Sequence, residues 1–195
     1  MNTKRIILAS SSPRRIEMIK ANGIEPIIIP PDVDETLPQN TKPHDAVLFL
    51  ALKKALHVEA IALERKLMEH IVISADTIVV FNNTIIGKPA SEKEAFDMLT
   101  TLNGQAHTVL TGVCLINVGT HKREVFYEST EVLFKTYSSE ELIEYIKTPE
   151  PYDKAGGYAI QGVFGKYIDR INGSYTNVVG FPWERIEKAL SNYLK

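Results

Sequence analysis

Short apolar, β-branched runs alternate along this chain with stretches whose apolar positions repeat at helical spacing. The apolar runs predict strands over 5–9, 24–29, 71–74, 78–81, 84–87, 107–118, 123–135 and 167–171. Helices are expected over 13–22, 43–69, 92–102, 139–147 and 182–194. Two of these carry start signals: Ser91 before Glu92-Lys93-Glu94, and Ser138-Ser139 before Glu140-Glu141, each set a hydroxyl ahead of acidic first-turn residues. Asn82-Asn83 between two β-branched runs has the composition of a tight hairpin turn. The long neighbouring strands 107–118 and 123–135 suit an antiparallel pair, whereas the early strand–helix–strand order suits parallel pairing. The expected fold is therefore α/β with a mixed sheet. Thr148-Pro149-Glu150-Pro151 is too short for a flexible linker and reads as a turn, so 1–195 is taken as a single domain.

Composition narrows the function. A chain of 195 residues with 44% hydrophobic content can bury a sizeable core, as one large domain or two small lobes. The formal charge of -2 argues against a broad nucleic-acid footprint and a stable nucleic-acid complex. Any cationic site must be local. Cys114 is the only cysteine, which excludes an internal disulfide and a cysteine zinc cluster, and its apolar strand makes it an inert core thiol. The four apolar residues after Lys4-Arg5 are too few for a secretory segment, and no run is long enough to cross a bilayer. A soluble, cytoplasmic protein without a membrane partner is the expectation.

The sharpest local signal is Ser10-Ser11-Ser12-Pro13-Arg14-Arg15, where a strand feeds a helix start. The serines are N-cap candidates and proline is favoured at the first helical position. A helix N-terminus is already positive, so two arginines in its first turn add repulsion unless an anion, typically phosphate, sits there. The same pattern also fits a capped helix with its arginines in water. Asp76 interrupts the apolar stretch 71–81 and needs a cation, a metal or a watery edge; a strand end capping a turn fits equally. Lys88 in Gly87-Lys88-Pro89 is returned by the hairpin towards the strand end that carries Asp76, an acid–base pairing suited to a carboxylate–metal–phosphate arrangement. Asp32-Val33-Asp34-Glu35 follows a strand's carboxyl end, where open α/β sheets bind ligands, so Glu35 can ligate a metal or lie in a solvated loop. Lys154-Ala155-Gly156-Gly157-Tyr158-Ala159-Ile160-Gln161-Gly162 permits close backbone approach, and the Gln161 amide can pair with a base edge that carries a carbonyl beside an N–H. His44, His57 and His70 recur every 13 residues, turning about 220° on a helix each time, so they do not share a face. The sequences G-x-x-x-x-G-K-[ST], H-E-x-x-H and G-x-G-x-x-G are absent.

Leu8-Ala9-Ser10-Ser11-Ser12-Pro13-Arg14-Arg15, Ala75-Asp76-Thr77, Gly87-Lys88-Pro89, the 154–162 block and Ile171-Asn172-Gly173-Ser174-Tyr175-Thr176-Asn177-Val178-Val179-Gly180-Phe181-Pro182 together resemble the Maf family. These are nucleoside triphosphate pyrophosphatases, historically called septum-formation proteins. The Lys154 to Gly162 block resembles the branch acting on dTTP and UTP. The resemblance implies an elongated mixed sheet with flanking helices, two lobes around a central cleft similar to the inosine triphosphatase group, and frequent homodimers. It makes Asp76 the proton acceptor, associates Arg14, Thr77 and Gln161 with substrate choice, and puts Ser10, Arg15, Glu35, Lys54 and Lys88 in the cleft. Release of pyrophosphate from a pyrimidine triphosphate for nucleotide-pool house-cleaning is the expected activity. Arg14, Arg15, Lys54 and Lys88 would hold phosphates, and Mg²⁺ or Mn²⁺ would bridge phosphate oxygens with Glu35 or Asp76. The rival expectation is a non-catalytic nucleotide-binding regulator of cell division, which needs the arginines but not Asp76.

Overall fold

The computed structural model describes residues 5–193. Its centre is a 7-stranded mixed sheet ordered β2-β1-β3-β5-β6-β7, with β4 paired to β3. The strands are β1 (Arg5–Ala9), β2 (Ile27–Ile28), β3 (His70–Phe81), β4 (Thr84–Ile86), β5 (Ala106–Asn117), β6 (Arg123–Phe134) and β7 (Ile168–Asn172). Helices α1 (Pro13–Ala21), α2 (Pro43–Glu64), α3 (Glu92–Leu102), α4 (Ser139–Ile146), α5 (Tyr175–Val179) and α6 (Trp183–Ser191) flank it. The β1 strand runs parallel to β2 and β3, and β3, β5, β6 and β7 follow one another antiparallel.

Local signals account for most boundaries. Ser91 and Ser138 accept the amides of Glu94 and Glu141, and the latter pair completes a reciprocal capping box. Asn82 and Asn83 both adopt positive φ, 48° and 61°, turning the β3–β4 hairpin. Four expectations are corrected. The strand expected over 24–29 pairs only at Ile27–Ile28, because β2 is an edge strand bonded to β1 alone. Helix α2 stops at Glu64 instead of 69; Lys66 turns to φ 57° and the Leu67 amide bonds back to Ala62. Short α5 was not foreseen, and the last helix begins at Trp183, with residue 194 of its expected span outside the described residues.

Strand β3 departs furthest from expectation. Residues 71–74 and 78–81 belong to one strand of 12 residues, so Asp76 lies inside β3 and not at a strand end. Along β3 the side chains alternate between faces. Ile71, Ile73 and Ala75 pack into a core with α1 and α6, Val72 packs with α2, and beyond Asp76 the strand enters different cores through Ile78, Val79 and Val80. Asp76 and Thr77 therefore stand at the seam between apolar clusters.

The edge of β3 is split at the same place. On one side β5 pairs with it continuously from Ile71 to Val80. On the other, β1 pairs only as far as Ser74 and β4 begins only at Val79. The segment from Ala75 to Ile78 thus has no strand neighbour on that side. Strand β1 diverges there into Ser10–Ser12 and α1, opening a gap bounded by a helix start. Such gaps in α/β sheets are where ligands sit.

Candidate active site

A cavity of about 840 Å³ opens at this gap. Its wall includes Ser10 to Arg15, Glu35, Lys54, Asp76, Thr77, Gly87-Lys88, Asp153 to Ala155, Tyr158 and Val178 to Gly180. Six of the seven residues expected to touch substrate, and both expected metal ligands, share this one wall. Gln161 does not line it; it is exposed on a turn three residues beyond Tyr158, which does.

At the centre lies an ion triad. Lys54 reaches from α2 to the face of β3 that carries Ser74 and Asp76, and Nζ lies 2.5 Å from Asp76 Oδ1 and 2.7 Å from Glu35 Oε1. Ser74 fixes α2 against the strand by donating to the Ala51 carbonyl at 2.6 Å. Asp76 is 7% and Lys54 8% exposed, so each desolvated charge is compensated by the other. The Asp76 Oδ2 and Glu35 Oε2 atoms accept no hydrogen bond from the described residues, which leaves each carboxylate with one oxygen for a guest.

The two arginines divide their labour. Arg15 gives Nε–H to Gly180 O at 2.9 Å, Nη1–H to Ala75 O at 2.7 Å and Nη2–H to Thr77 Oγ1 at 3.0 Å. It thereby satisfies a carbonyl of the unpaired β3 edge and ties α1 to the C-cap of α5. Burial pulls its pKa down, and Asp76 opposes that shift. Arg14 makes no hydrogen bond or salt bridge with the described residues; burial lowers its pKa while the charges of Asp153 and Glu150 oppose. Of the two arginines, Arg14 is thus the one left for an incoming anion. Ser12 takes the N-cap position of α1 without a side-chain cap bond, and its own amide donates to Ser10 Oγ at 3.1 Å. Lys88 is exposed on the opposite rim.

The glycine-rich segment closes the far wall. The Gly156 amide donates to Gly87 O at 2.9 Å, joining this loop to the one that carries Lys88. At φ 73° a Cβ on Gly156 would lie 2.8 Å from Val79 Cγ2, so only glycine fits. Tyr158 is held by a 2.7 Å bond between its hydroxyl and His107 Nε2, beneath the edge-packed ring of Phe134. Burial pushes His107 down to about 4 and the Tyr158 phenol upward. Asp153 and His107 carry no sequence signal and Tyr158 enters only as part of the glycine-rich block, although a histidine in an apolar strand invites a search for its partner. Cys114 is a buried free thiol pushed up to about 12, inert as expected.

The Maf-like protein family model matches residues 5–193. The chain belongs to this family. A dTTP/UTP pyrophosphatase of Caldicellulosiruptor bescii is 47% identical over 183 residues, spanning 94% of this chain and 92% of the relative. Another of that name, from Desulfitobacterium hafniense, is 46% identical across 96% of this chain and 85% of its own length. A third, from Bacillus cereus, is 43% identical across 98% and 91%. This Maf-like chain has no helix among its described residues that is long and apolar enough to cross a membrane.

Among the described residues no group of three or more His, Cys, Asp or Glu side chains converges on one point. A self-contained protein cage for a metal is therefore not built here. The donor set still fits a hard divalent ion, because Mg²⁺ commonly takes one or two carboxylates and completes its shell with substrate phosphates and water.

Proposed function

We propose that this chain is a nucleoside triphosphate pyrophosphatase acting on dTTP and UTP. The observation that carries the reading is Lys54 bridging Asp76 and Glu35 inside a cavity that also holds Arg14, the first turn of α1 and Lys88. A non-catalytic nucleotide binder needs the cations but no base, whereas Asp76 sets a buried carboxylate with a free oxygen at the centre of the cationic wall. The names of the relatives supply the substrates.

In this mechanism, water attacks the α-phosphorus, its proton passes to Asp76 Oδ2, the α–β bridging P–O bond breaks, and pyrophosphate leaves with the nucleoside monophosphate formed. Lys54 pairs with Asp76 Oδ1 and fixes the carboxylate's orientation, while Arg14, the α1 amides and Lys88 neutralise the triphosphate. Glu35 or Asp76 would hold a divalent ion, Mg²⁺ or Mn²⁺, which when bound offsets phosphate charge and acidifies water. Base choice falls to polar groups near the sugar–base end. Thr77 stands in the wall, and Gln161 lies outside it on an exposed turn, its amide suited to the 4-keto and N3–H edge shared by uracil and thymine.

The test is pyrophosphate release from a panel of nucleoside triphosphates with and without Mg²⁺. Selective release from dTTP and UTP that chelator suppresses supports the reading. Saturable nucleotide binding without turnover would leave a binding protein, and equal turnover of CTP and UTP would refute the base assignment.

A further inference from the structure

We infer that Thr111, a fully buried residue outside the cavity wall, is a positioning residue that fixes the polarity of Thr77 and so makes Thr77 select a hydrogen-bond donor on the nucleotide. The inference rests on the nucleotide reading above and deepens it.

Thr77 and Thr111 are directly opposed in the β3–β5 register, with their hydroxyl oxygens 3.0 Å apart. Each hydroxyl has one proton and two lone pairs. Thr77 Oγ1 already accepts from Arg15 Nη2 at 3.0 Å, a donor that is charged and cannot reverse. Thr111 Oγ1 lies 3.2 Å from Asn177 O, while Thr77 Oγ1 lies 3.5 Å from Gly180 O. Hydroxyl bonds normally span about 2.5–3.0 Å, so the Asn177 carbonyl is the better acceptor of the two. The proton assignment that makes the shorter set of bonds runs Arg15 to Thr77, Thr77 to Thr111, and Thr111 to Asn177 O.

Thr77 then has no proton to offer the cavity. What it offers is one lone pair, and the nucleotide group that matches is a donor. Two sources share that chemistry: the N3–H of uracil or thymine, and the sugar 3′-hydroxyl. Cytosine presents a bare nitrogen at the first position and is rejected there without any steric clash. Asn177 anchors the far end of the chain, since its fully buried side-chain amide donates to Val109 O at 3.0 Å and Thr130 Oγ1 at 2.9 Å.

Replacing Thr111 by Val removes the acceptor of the Thr77 proton while keeping shape, and frees that proton to point into the cavity. The experiment compares wild type, Thr111→Val and Thr111→Ser by kcat/KM in two pairs: UTP against CTP, and dTTP against its 3′-deoxy analogue. The expected result is that Thr111→Val lowers one of the two ratios about three- to tenfold, the worth of one neutral hydrogen bond, and that Thr111→Ser restores it. The first ratio moving assigns the base imino group; the second assigns the sugar hydroxyl. A merely structural role would depress all four substrates together. Both ratios unchanged in a folded, active Thr111→Val protein would overturn the inference. Thr111→Ala serves if the valine protein does not fold. Should wild type release no pyrophosphate from any substrate, the activity reading fails instead, and the same ratios taken from nucleotide dissociation constants still decide the role of Thr111.

Discussion

Lys54 Nζ and Asp76 Oδ1 meet at 2.5 Å with only 10% of either side chain exposed, joining the middle of α2 to the unpaired stretch of β3. Removing one partner of such a pair leaves an uncompensated buried charge, which costs about 3–5 kcal/mol. Lys54→Met is therefore expected to lose stability on that scale in urea unfolding and to lose pyrophosphate release as well.

Asp76→Asn is the milder lesion for the fold and the more severe for chemistry. Lys54 keeps Glu35 at 2.7 Å, so the ammonium is not orphaned. We expect a stability loss of about 1–2 kcal/mol, on the scale of a weakened hydrogen bond. Release should fall to background while calorimetric nucleotide binding persists. Full turnover by this variant would remove Asp76 from the mechanism.

Arg14 and Arg15 should separate cleanly on substitution. Arg15→Gln breaks a three-bond clamp between α1, β3 and α5, and bonds to charged donors contribute about 1.5–3 kcal/mol each, so a drop of several kcal/mol in unfolding free energy is expected. Arg14→Gln removes a side chain bonded to nothing else among the described residues. Its melting temperature should match wild type while KM rises. The opposite pattern would exchange the two roles.

How far the chain's chemistry was readable follows from these residues. Arg14, Arg15, Lys88 and Glu35 announce themselves because charges beside a helix start or a strand's carboxyl end need a reason. Lys54 comes only through resemblance, since it sits beside Lys53 on a largely apolar helix and nothing local says which of the two is buried. Only Lys54 faces β3; Lys53 turns out to the Asp34 carbonyl. Asp76 misled on structure, because a lone carboxylate suggests a strand end, whereas the Lys54 charge lets β3 continue through it. Gln161 belongs to the recognised motif, yet Tyr158 fills that part of the wall. Tyr158 is held by His107, 51 residues away, a pairing no local pattern reveals.

Gly112 stands opposite Asp76 in the β3–β5 register, and a Cβ there would fall 2.1 Å from Val47 O. This contact lets the α2 backbone approach β5 closely enough to place Lys54 over Asp76. Gly112→Ala must push the helix outward, and overpacking of this kind costs about 1–3 kcal/mol or more. We expect impaired folding and, in whatever protein folds, weaker release with nucleotide specificity unchanged. Wild-type stability in this variant would show that α2 has room to spare.

His107 gives the protein a one-sided dependence on pH. Burial lowers its folded pKa from 6.5 to about 4, so the native state holds it neutral beside Tyr158. Above pH 6.5 neither the folded nor the unfolded chain protonates this ring, and its contribution is complete. Between pH 6.5 and about 4 the unfolded chain takes the proton first, so stability falls with pH and levels off below the folded value. At about pH 4.5 the loss from this one group amounts to roughly 2–3 kcal/mol. Carboxylates titrate in the same range, and His70, also lowered by burial, acts in the same direction, so the comparison must be with a variant. His107→Gln can still bond the Tyr158 hydroxyl but does not titrate. Urea unfolding at pH 7.5 and at pH 4.5 (about 3 units apart) should show the wild type losing roughly 2–3 kcal/mol more than this variant. Equal losses in the two proteins would mean that His107 is not held neutral in the fold.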